Sequence, residues 1–219
     1  REVINYPQPV LTINADGTAD FVVSSLEGDL KTAVRKGLES ANAKGVKKLL
    51  IDLRRCATGK PADGVEMAQW FLEKGDIGSS KGQRIEEQRY VADATKQIWK
   101  KPVVLLVNRG TAGAAEVFAA ALLENKRAQV VGERTYGNAA MQRALSLDDG
   151  SAVILSVAKF YAPNGKAIQD TGVTPNHPLN DTLAGPATED PEEEERDATL
   201  KSLEDVIRKK GIELLLLQQ

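Results

Sequence analysis

The chain has 219 residues, of which 42% are hydrophobic and 27% charged, a composition ordinary for a globular protein with one large core. Its 29 Lys and Arg residues against 31 Asp and Glu residues give a net charge of −2, which argues against a nucleic-acid or anionic-membrane partner. The apolar runs are too short to span a bilayer, and a single cysteine excludes an internal disulfide.

The first half of the chain predicts alternating strands and helices. Residues 9–13 and 19–24 are strand-like and flank NADG, a sequence typical of a hairpin turn. A helix is predicted over 30–43, where apolar residues recur at helical spacing, and the mostly apolar GVKKLLIDLR after it predicts a buried strand. A second helix is predicted over 64–74, and the polar stretch 75–101 carries no predicted element.

The second half continues the alternation. Residues 102–108, PVVLLVN, form an unbroken apolar run of the kind found in strands that are covered on both faces. A turn of small residues then leads into a helix, and 127–135 predicts another short strand. After residue 140, two strand-like runs flank Asp149-Gly150, which predicts a hairpin. This order of elements predicts an α/β fold with a partly parallel sheet.

The two ends differ in composition from the core. Residues 181–219 read as an acidic, proline-containing linker followed by a docking helix over 197–210, with an acidic interaction tail as the alternative. Residues 1–18 are compatible with the end of an upstream module, which leaves 19–180 as the core domain. Because the first residue is Arg1 and not Met, we expect a processed or excised fragment.

The turn RGTAGAAEVFAAALLEN at 109–125 places glycine and alanine where a helix usually has a polar cap. One interpretation is structural, because small residues permit a tight turn and close packing. The other is functional, because a helix N-terminus offers unpaired N–H groups, and small residues let a substrate carbonyl approach them. The segment alone leaves both interpretations open.

Several motifs in the same order resemble the carboxyl-terminal processing peptidases, or tail-specific proteases, a family of serine peptidases. The segment GVKKLLIDLRRCATG is similar to the family's helix-to-strand stretch ending D-L-R-x-N-x-G-G. The closing run YAPNGKAIQDTGVTP matches the distinctive pattern Y-x-x-P-x-G-x-x-I-Q-x-x-G-x-x-P. The resemblance covers roughly residues 19–178 and implies a crotonase-like fold of stacked β-β-α units with a closing hairpin.

The catalytic positions depart from the family pattern. The family's turn reads Ser-Ala-Ser-Ala-x-Glu with the second Ser as nucleophile, and Gly113 stands at that position. The family's general-base Lys lies in G-K-x-x-x-Q, where this chain has Asn138, while Gln142 retains the glutamine that would orient the Lys. The resemblance further implies an oxyanion hole formed by backbone N–H groups near Gly59 and at Ala114.

These replacements remove the chemistry of the dyad. A serine hydroxyl needs a neutral lysine to take its proton, and neither a glycine hydrogen nor an asparagine amide can play these parts. We therefore expect an inactive, peptide-binding pseudopeptidase that needs no cofactor and no metal. The partner that the resemblance implies is a polypeptide C-terminus or an unfolded segment, in the periplasm or cell envelope, and an oligomer is compatible with the sequence.

Two alternatives to the pseudopeptidase are kept. The first is an active endopeptidase with another nucleophile, for which Cys56 with His177, or the Thr111 hydroxyl, are the candidates. The second is an assembly scaffold, which predicts no cleft and a large apolar interface. Ala57 and Thr58 replace a Pro and a Gly of the family's oxyanion loop, and a threonine reaches a positive φ less readily than glycine, which puts the geometry of the hole in question.

Overall fold

A six-stranded, mostly parallel sheet forms the centre of the protein. The computed structural model describes residues 6–179 and 193–218. The strands of the sheet are β1 (Val10–Ile13), β2 (Thr18–Val22), β3 (Lys48–Asp52), β6 (Val103–Val107), β7 (Gln129–Gly132) and β10 (His177–Pro178). They lie in the order β1-β2-β3-β6-β7-β10, and only the β1–β2 pair is antiparallel. Because β1 pairs with β2, residues 10–13, which precede the expected core domain, belong to the same sheet as that domain.

Three helices cover one face of this sheet and enclose the main core. They are α1 (Asp29–Ala43), α2 (Pro61–Gln69) and α3 (Ala114–Glu124). Nearly every residue of α3 is buried, as expected for a helix that is apolar on all sides. It packs against α2 and follows β6, which is buried along its whole length. The N-terminus of α3 therefore emerges at the carboxyl end of a central strand, where α/β proteins place their ligands.

A second, antiparallel sheet of four strands lies beside the helices. It contains β4 (Asp76–Gly82), β5 (Ile85–Val91), β8 (Ala140–Ser146) and β9 (Ala152–Tyr161), in the order β5-β4-β9-β8. The rings of Tyr90 and Phe160 stack at 5.7 Å, and the Tyr90 hydroxyl lies 3.1 Å from Ser80 Oγ. These contacts hold β5 and β9 to the strand between them.

A fourth helix, α4 (Glu193–Leu217), covers the opposite face of the central sheet. Ile207 and Leu215 of this helix pack on a second apolar cluster with Leu50, Val104 and Leu106. Among the described residues, no helix is both long and apolar enough to cross a membrane. The central sheet is thus covered on both faces, which explains its unbroken apolar strands.

The α/β class and the partly parallel sheet are confirmed, and the predicted hairpin after residue 140 is formed by β8 and β9. The predicted helix 64–74 was misplaced: α2 starts at Pro61, which suits the first helical turn, and ends at Gln69. The helix predicted over 197–210 is longer at both ends. Residues 1–5 of the expected upstream module, residue 180 at the end of the expected core domain and 181–192 of the expected linker lie outside the described residues.

The largest error of the sequence prediction is the polar stretch 75–101, which contains β4, β5 and a short 3-10 helix at Ala94–Lys96. The sequence DIGSSKG of β4 has two glycines and two serines, which have low strand propensity. It becomes a strand because it is hydrogen-bonded between β5 and β9. Tertiary pairing overrides local preference here. His177, the candidate partner of Cys56, is half-buried in a short strand beside β7.

Candidate active site

The turn that leads into α3 is tied to two neighbouring segments. The Thr111 hydroxyl donates to Leu53 O at 2.9 Å and accepts from Asn108 N–H, and Ala112 N–H donates to Cys56 O at 3.0 Å. Thr111 is fully buried. These bonds fix the turn against the loop that follows β3, so the small residues at its tip have a defined position.

Gly113 occupies the tip of this turn in a conformation that disfavours a side chain. Its φ is 63° and its ψ is −120°, the values of the first central residue of a type II′ turn, a position dominated by glycine. A Cβ built at this position would lie 3.1 Å from Gly59 O and 3.8 Å from Asn138 O. A sharp strand-to-helix turn of this kind is where several hydrolases place a nucleophile. Here the position carries only hydrogen.

A cleft of about 780 Å³ opens in front of Gly113. Four of the five site residues predicted from the sequence line it, namely Gly59, Gly113, Asn138 and Gln142. Asn138 and Gln142 are exposed, whereas Ala114 is buried behind the cleft wall. The structure thus brings together segments that are 83 residues apart in sequence, as the distance from Gly59 to Gln142 shows.

Two backbone N–H groups remain available beside Gly113. No described residue accepts a hydrogen bond from the N–H of Gly59 or of Ala114. The two residues are neighbours, since a Cβ on Gly59 would lie 3.1 Å from the Ala114 Cβ. The conformational cost considered for Thr58 does not arise, because the positive φ of this loop, 116°, falls on Gly59 and not on Thr58. Two such donors can stabilise an oxygen that carries negative charge.

The described side chains that line the cleft supply no nucleophile with a base. Thr58 has the one hydroxyl among them, and this hydroxyl donates to Ser25 Oγ at 2.7 Å. Lys31 bridges Asp63 and Glu66 at 2.7 and 2.6 Å. Burial alone would lower the pKa of Lys31, but the hydrogen bonds that its amine donates to the two carboxylates raise the pKa, so this amine stays protonated and cannot act as a base.

The alternative nucleophiles are both engaged elsewhere. Cys56 is fully buried, and this burial raises the pKa of its thiol to about 12. His177 lies at the end of the central sheet, with its ring nitrogen Nε2 2.8 Å from Gln129 Oε1. Thr111, buried and hydrogen-bonded within the turn, does not line the cleft. Neither a Cys–His pair nor an activated Thr111 is formed.

The burial of Cys56 predicts slow alkylation in the folded chain. At pH 8 we expect iodoacetamide to label Cys56 at least about 100-fold more slowly in the native chain than in urea, because the raised pKa keeps the thiol neutral and burial blocks access. Mass spectrometry at timed quenches measures this rate. Equal rates in the two conditions would return Cys56 to the list of nucleophiles.

Residues 19–179 match the model of peptidase family S41. The chain belongs to this family. It is 37% identical over 158 residues to the chloroplastic carboxyl-terminal-processing peptidase 2 of Arabidopsis thaliana, covering 72% of this chain and 31% of that protein. It is 32% identical over 179 residues to the carboxy-terminal processing protease CtpA of Bacillus subtilis, covering 76% and 37%.

Solved structures give the same assignment. The photosystem II D1 C-terminal processing protease superposes with a TM-score of 0.73 at 28% identity, covering 84% of this chain and 51% of that one. The tricorn protease shares the fold, with a TM-score of 0.55 at 15% identity over 86% of this chain and 18% of that one. The chain spans about a third of the length of its relatives. The family match and the superposition on the D1 processing protease both place residues 19–179 in peptidase family S41.

The sequence motifs predicted no role for one residue of the site, Glu116. Glu116, in the first turn of α3, is completely buried and accepts four hydrogen bonds from the segments that form the site. The available signal was its place as the one charged residue in the run AAEVFAAALL. A helix with no polar face buries all of its side chains, and a buried acidic residue is almost always paired with hydrogen-bond donors or a cation.

Proposed function

We propose that this domain holds an extended polypeptide segment in the cleft beside Gly113 and does not cleave it by a serine mechanism. The observation that carries the proposal is that two backbone donors and the two substituted dyad positions lie in the same site. Two backbone N–H groups lie free beside the turn, while a glycine and an asparagine occupy the two positions where the family has its nucleophile and its base. The frame of an acyl-transfer site is present without the groups that would form and release an acyl-enzyme.

The free donors and the shape of the cleft support binding. A peptide carbonyl that enters the cleft can accept hydrogen bonds from the Gly59 and Ala114 N–H groups, as a substrate does in a serine peptidase. The edge of β8, which begins at Ala140 on the cleft wall, offers unpaired backbone groups to an extended chain. Backbone pairing is tolerant of sequence, and so it suits an unfolded segment as a ligand.

The two alternatives gain no support from the geometry. An active peptidase with another nucleophile requires an activated hydroxyl or thiol in the cleft, and Cys56 and Thr111 are buried in the surrounding loops. A pure assembly scaffold predicts no cleft, whereas one of about 780 Å³ is formed at the predicted site residues. Peptide binding accounts for both observations.

The finer parts of the proposal rest on resemblance. We propose a polypeptide C-terminus or unfolded segment as partner because the relatives are named for carboxyl-terminal processing. A periplasmic or cell-envelope location, a crotonase-like architecture, the division at residues 18 and 180 and an oligomeric state remain parts of the proposal. The plant relatives are chloroplastic, so location varies within the family.

A paired binding and cleavage measurement tests the proposal. A fluorescent, unstructured peptide with an apolar C-terminus is titrated into the chain, and the same mixture is followed by mass spectrometry over long incubation. We expect saturable binding without any product. Asn138→Trp is expected to weaken binding at least about tenfold, because the indole would fill the cleft that the exposed Asn138 lines.

Asn42→Trp supplies the matched control, since Asn42 is an exposed asparagine at the end of α1, outside the cleft lining. Its affinity for the peptide is expected to equal that of the natural chain. Cleaved peptide in the mixture with the natural chain would overturn the proposal that the chain has lost catalysis. Binding that Asn138→Trp and Asn42→Trp affect equally would overturn the location of the peptide.

A further inference from the structure

Glu116 places a carboxyl group in the interior of the protein. Its side chain is 0% exposed, yet α3 around it is built from alanine and large apolar residues. Among the described residues, no cationic side chain contacts its carboxylate. An isolated carboxylate is among the most costly groups to bury, and an apolar side chain would suit the fold of this helix better.

Four hydrogen bonds compensate for this burial. Glu116 Oε2 accepts from Gly113 N–H at 3.0 Å and from Asn138 N–H at 2.7 Å. Glu116 Oε1 accepts from Gly137 N–H at 2.6 Å and from the Thr135 hydroxyl. The bonds from Asn138 and Gly137 are short for N–H···O contacts, whereas the bond from Gly113 has an ordinary length.

The donors come from two separate parts of the chain. One is the turn before α3, which carries Gly113, and the other is the loop 135–138 between β7 and β8, which carries Asn138. A single oxygen atom, Oε2, binds the backbone N–H of both residues. The carboxylate thus connects the two positions at which the family has its dyad, through their main chains and independently of their side chains.

A second layer of bonds extends this connection. Thr135 Oγ1 accepts from Val173 N–H at 2.7 Å, and Asp170 N–H donates to Gly137 O at 2.8 Å. Tyr136 N–H donates to Thr111 O at 3.0 Å, from the loop back to the turn. The loop 135–138 is therefore clamped between the turn and the segment 168–173, and Glu116 lies at the centre of the clamp.

We propose that Glu116 is a positioning residue that holds the turn at Gly113 and the loop at Asn138 in one fixed arrangement. Ala114 directly follows Gly113, so the same arrangement fixes the position of the Ala114 N–H, for which no described residue is an acceptor. The purpose of this arrangement, a preorganised wall for peptide binding, rests on the proposed function. The positioning itself is a property of the unliganded chain and does not depend on peptide binding. The positioning role explains why a carboxylate that is costly to bury is present in a site that has Gly113 and Asn138 at the family's dyad positions.

Amide hydrogen exchange, followed residue by residue by NMR, tests the positioning without any ligand. In Glu116→Gln the amide NH₂ group replaces one acceptor oxygen and faces N–H donors. We expect exchange at Gly113, Gly137 and Asn138 to accelerate at least about tenfold, while exchange in the central strand β6 stays unchanged. Leu38→Ala, a buried truncation in α1 outside the cleft lining, is the matched control and is expected to accelerate exchange throughout the core.

Unchanged exchange at the three amides in Glu116→Gln, or acceleration spread over the core as in Leu38→Ala, would overturn the proposal. If Glu116→Gln does not fold, Thr135→Val removes one of the four donors and is expected to accelerate exchange at Gly137 and Asn138 before that of β6. In the natural chain, short bonds to a carboxylate shift amide protons downfield, and ordinary shifts for Gly137 and Asn138 would count against the proposal.

Peptide titration of the same variants separates the two proposals. Faster local exchange together with at least about tenfold weaker peptide binding supports the positioning and its purpose. Faster local exchange with no measurable binding by any form of the chain supports the positioning and contradicts the proposed function. Full peptide affinity in Glu116→Gln, at unchanged local exchange, removes Glu116 from the site.

Discussion

The double variant Gly113→Ser, Asn138→Lys is expected to cleave an unstructured polypeptide at least about 10³-fold faster than the natural chain. The turn, the cleft and the two free N–H groups are already in place, and the variant adds a hydroxyl and an amine at positions that share one buried carboxylate as hydrogen-bond acceptor. Product formation by mass spectrometry and labelling of Ser at position 113 by a fluorophosphonate measure the gain.

The single variants are the controls, because nucleophile and base act as a unit. Gly113→Ser alone lacks a base and Asn138→Lys alone lacks a nucleophile, so each is expected to stay near the rate of the natural chain. Equal activity in the double variant and in Asn138→Lys would show that the hydroxyl is not the attacking group. An inert double variant with intact peptide binding would mean that the cleft holds peptides outside attacking distance of residue 113.

The Gly113→Ser substitution is expected to lower the free energy of unfolding. Serine at φ 63° and ψ −120° adopts a conformation that residues with a Cβ disfavour by about 1–3 kcal/mol, and its Cβ would approach Gly59 O to 3.1 Å. Urea unfolding of Gly113→Ser should therefore show a lower midpoint than that of the natural chain. Active sites commonly accept a strained conformation, and so a lower stability, in return for activity. Glycine at position 113 avoids this strain and lacks the nucleophile.

Much of the frame could be predicted from local patterns. The unbroken apolar run at 102–108 and the small-residue turn after it correspond to β6 and the start of α3, because burial on both faces leaves a plain signature in sequence. The site residues Gly59, Gly113, Asn138 and Gln142 were located through family motifs, and the structure places them around one cleft. Their roles there remain proposals.

The parts that escaped prediction depend on contacts between distant segments. The strand β4 has a sequence of low strand propensity and exists because β5 and β9 pair with it on either side. The role of Glu116 is visible only when loop 135–138 is folded against the helix, since three of its four donors lie 19 to 22 residues away in sequence. No local pattern carries such information.

Gly64→Ala is expected to destabilise the chain by about 3 kcal/mol or more, although alanine favours helices by about 1 kcal/mol over glycine. Gly64 is buried in α2 and lies against the first turn of α3, at Ala114 and Val117. A Cβ at this residue would lie 2.0 Å from Ala114 O and 2.9 Å from Ala114 C, which are backbone atoms that no rotamer change can move aside. The overlap therefore outweighs the gain in helix propensity.

Relief of this overlap requires α2 to move away from the start of α3, and that movement reaches the site. Gly59 lies just before α2, and its N–H forms the proposed donor pair with the N–H of Ala114. Gly64→Ala should consequently weaken peptide binding at least about tenfold under conditions where the variant is still folded. Urea unfolding at 25 °C and peptide titration measure the two effects.

Leu38→Ala controls for the loss of stability alone, because it removes buried apolar volume in α1, at an expected cost of about 2–5 kcal/mol, and Leu38 does not line the cleft. We expect it to bind peptide with unchanged affinity while folded. A Gly64→Ala chain as stable as the natural one would show that α2 and α3 separate freely. Peptide affinity that falls equally in Gly64→Ala and Leu38→Ala would show that global stability governs binding, and that the spacing of the two helices at Gly64 does not.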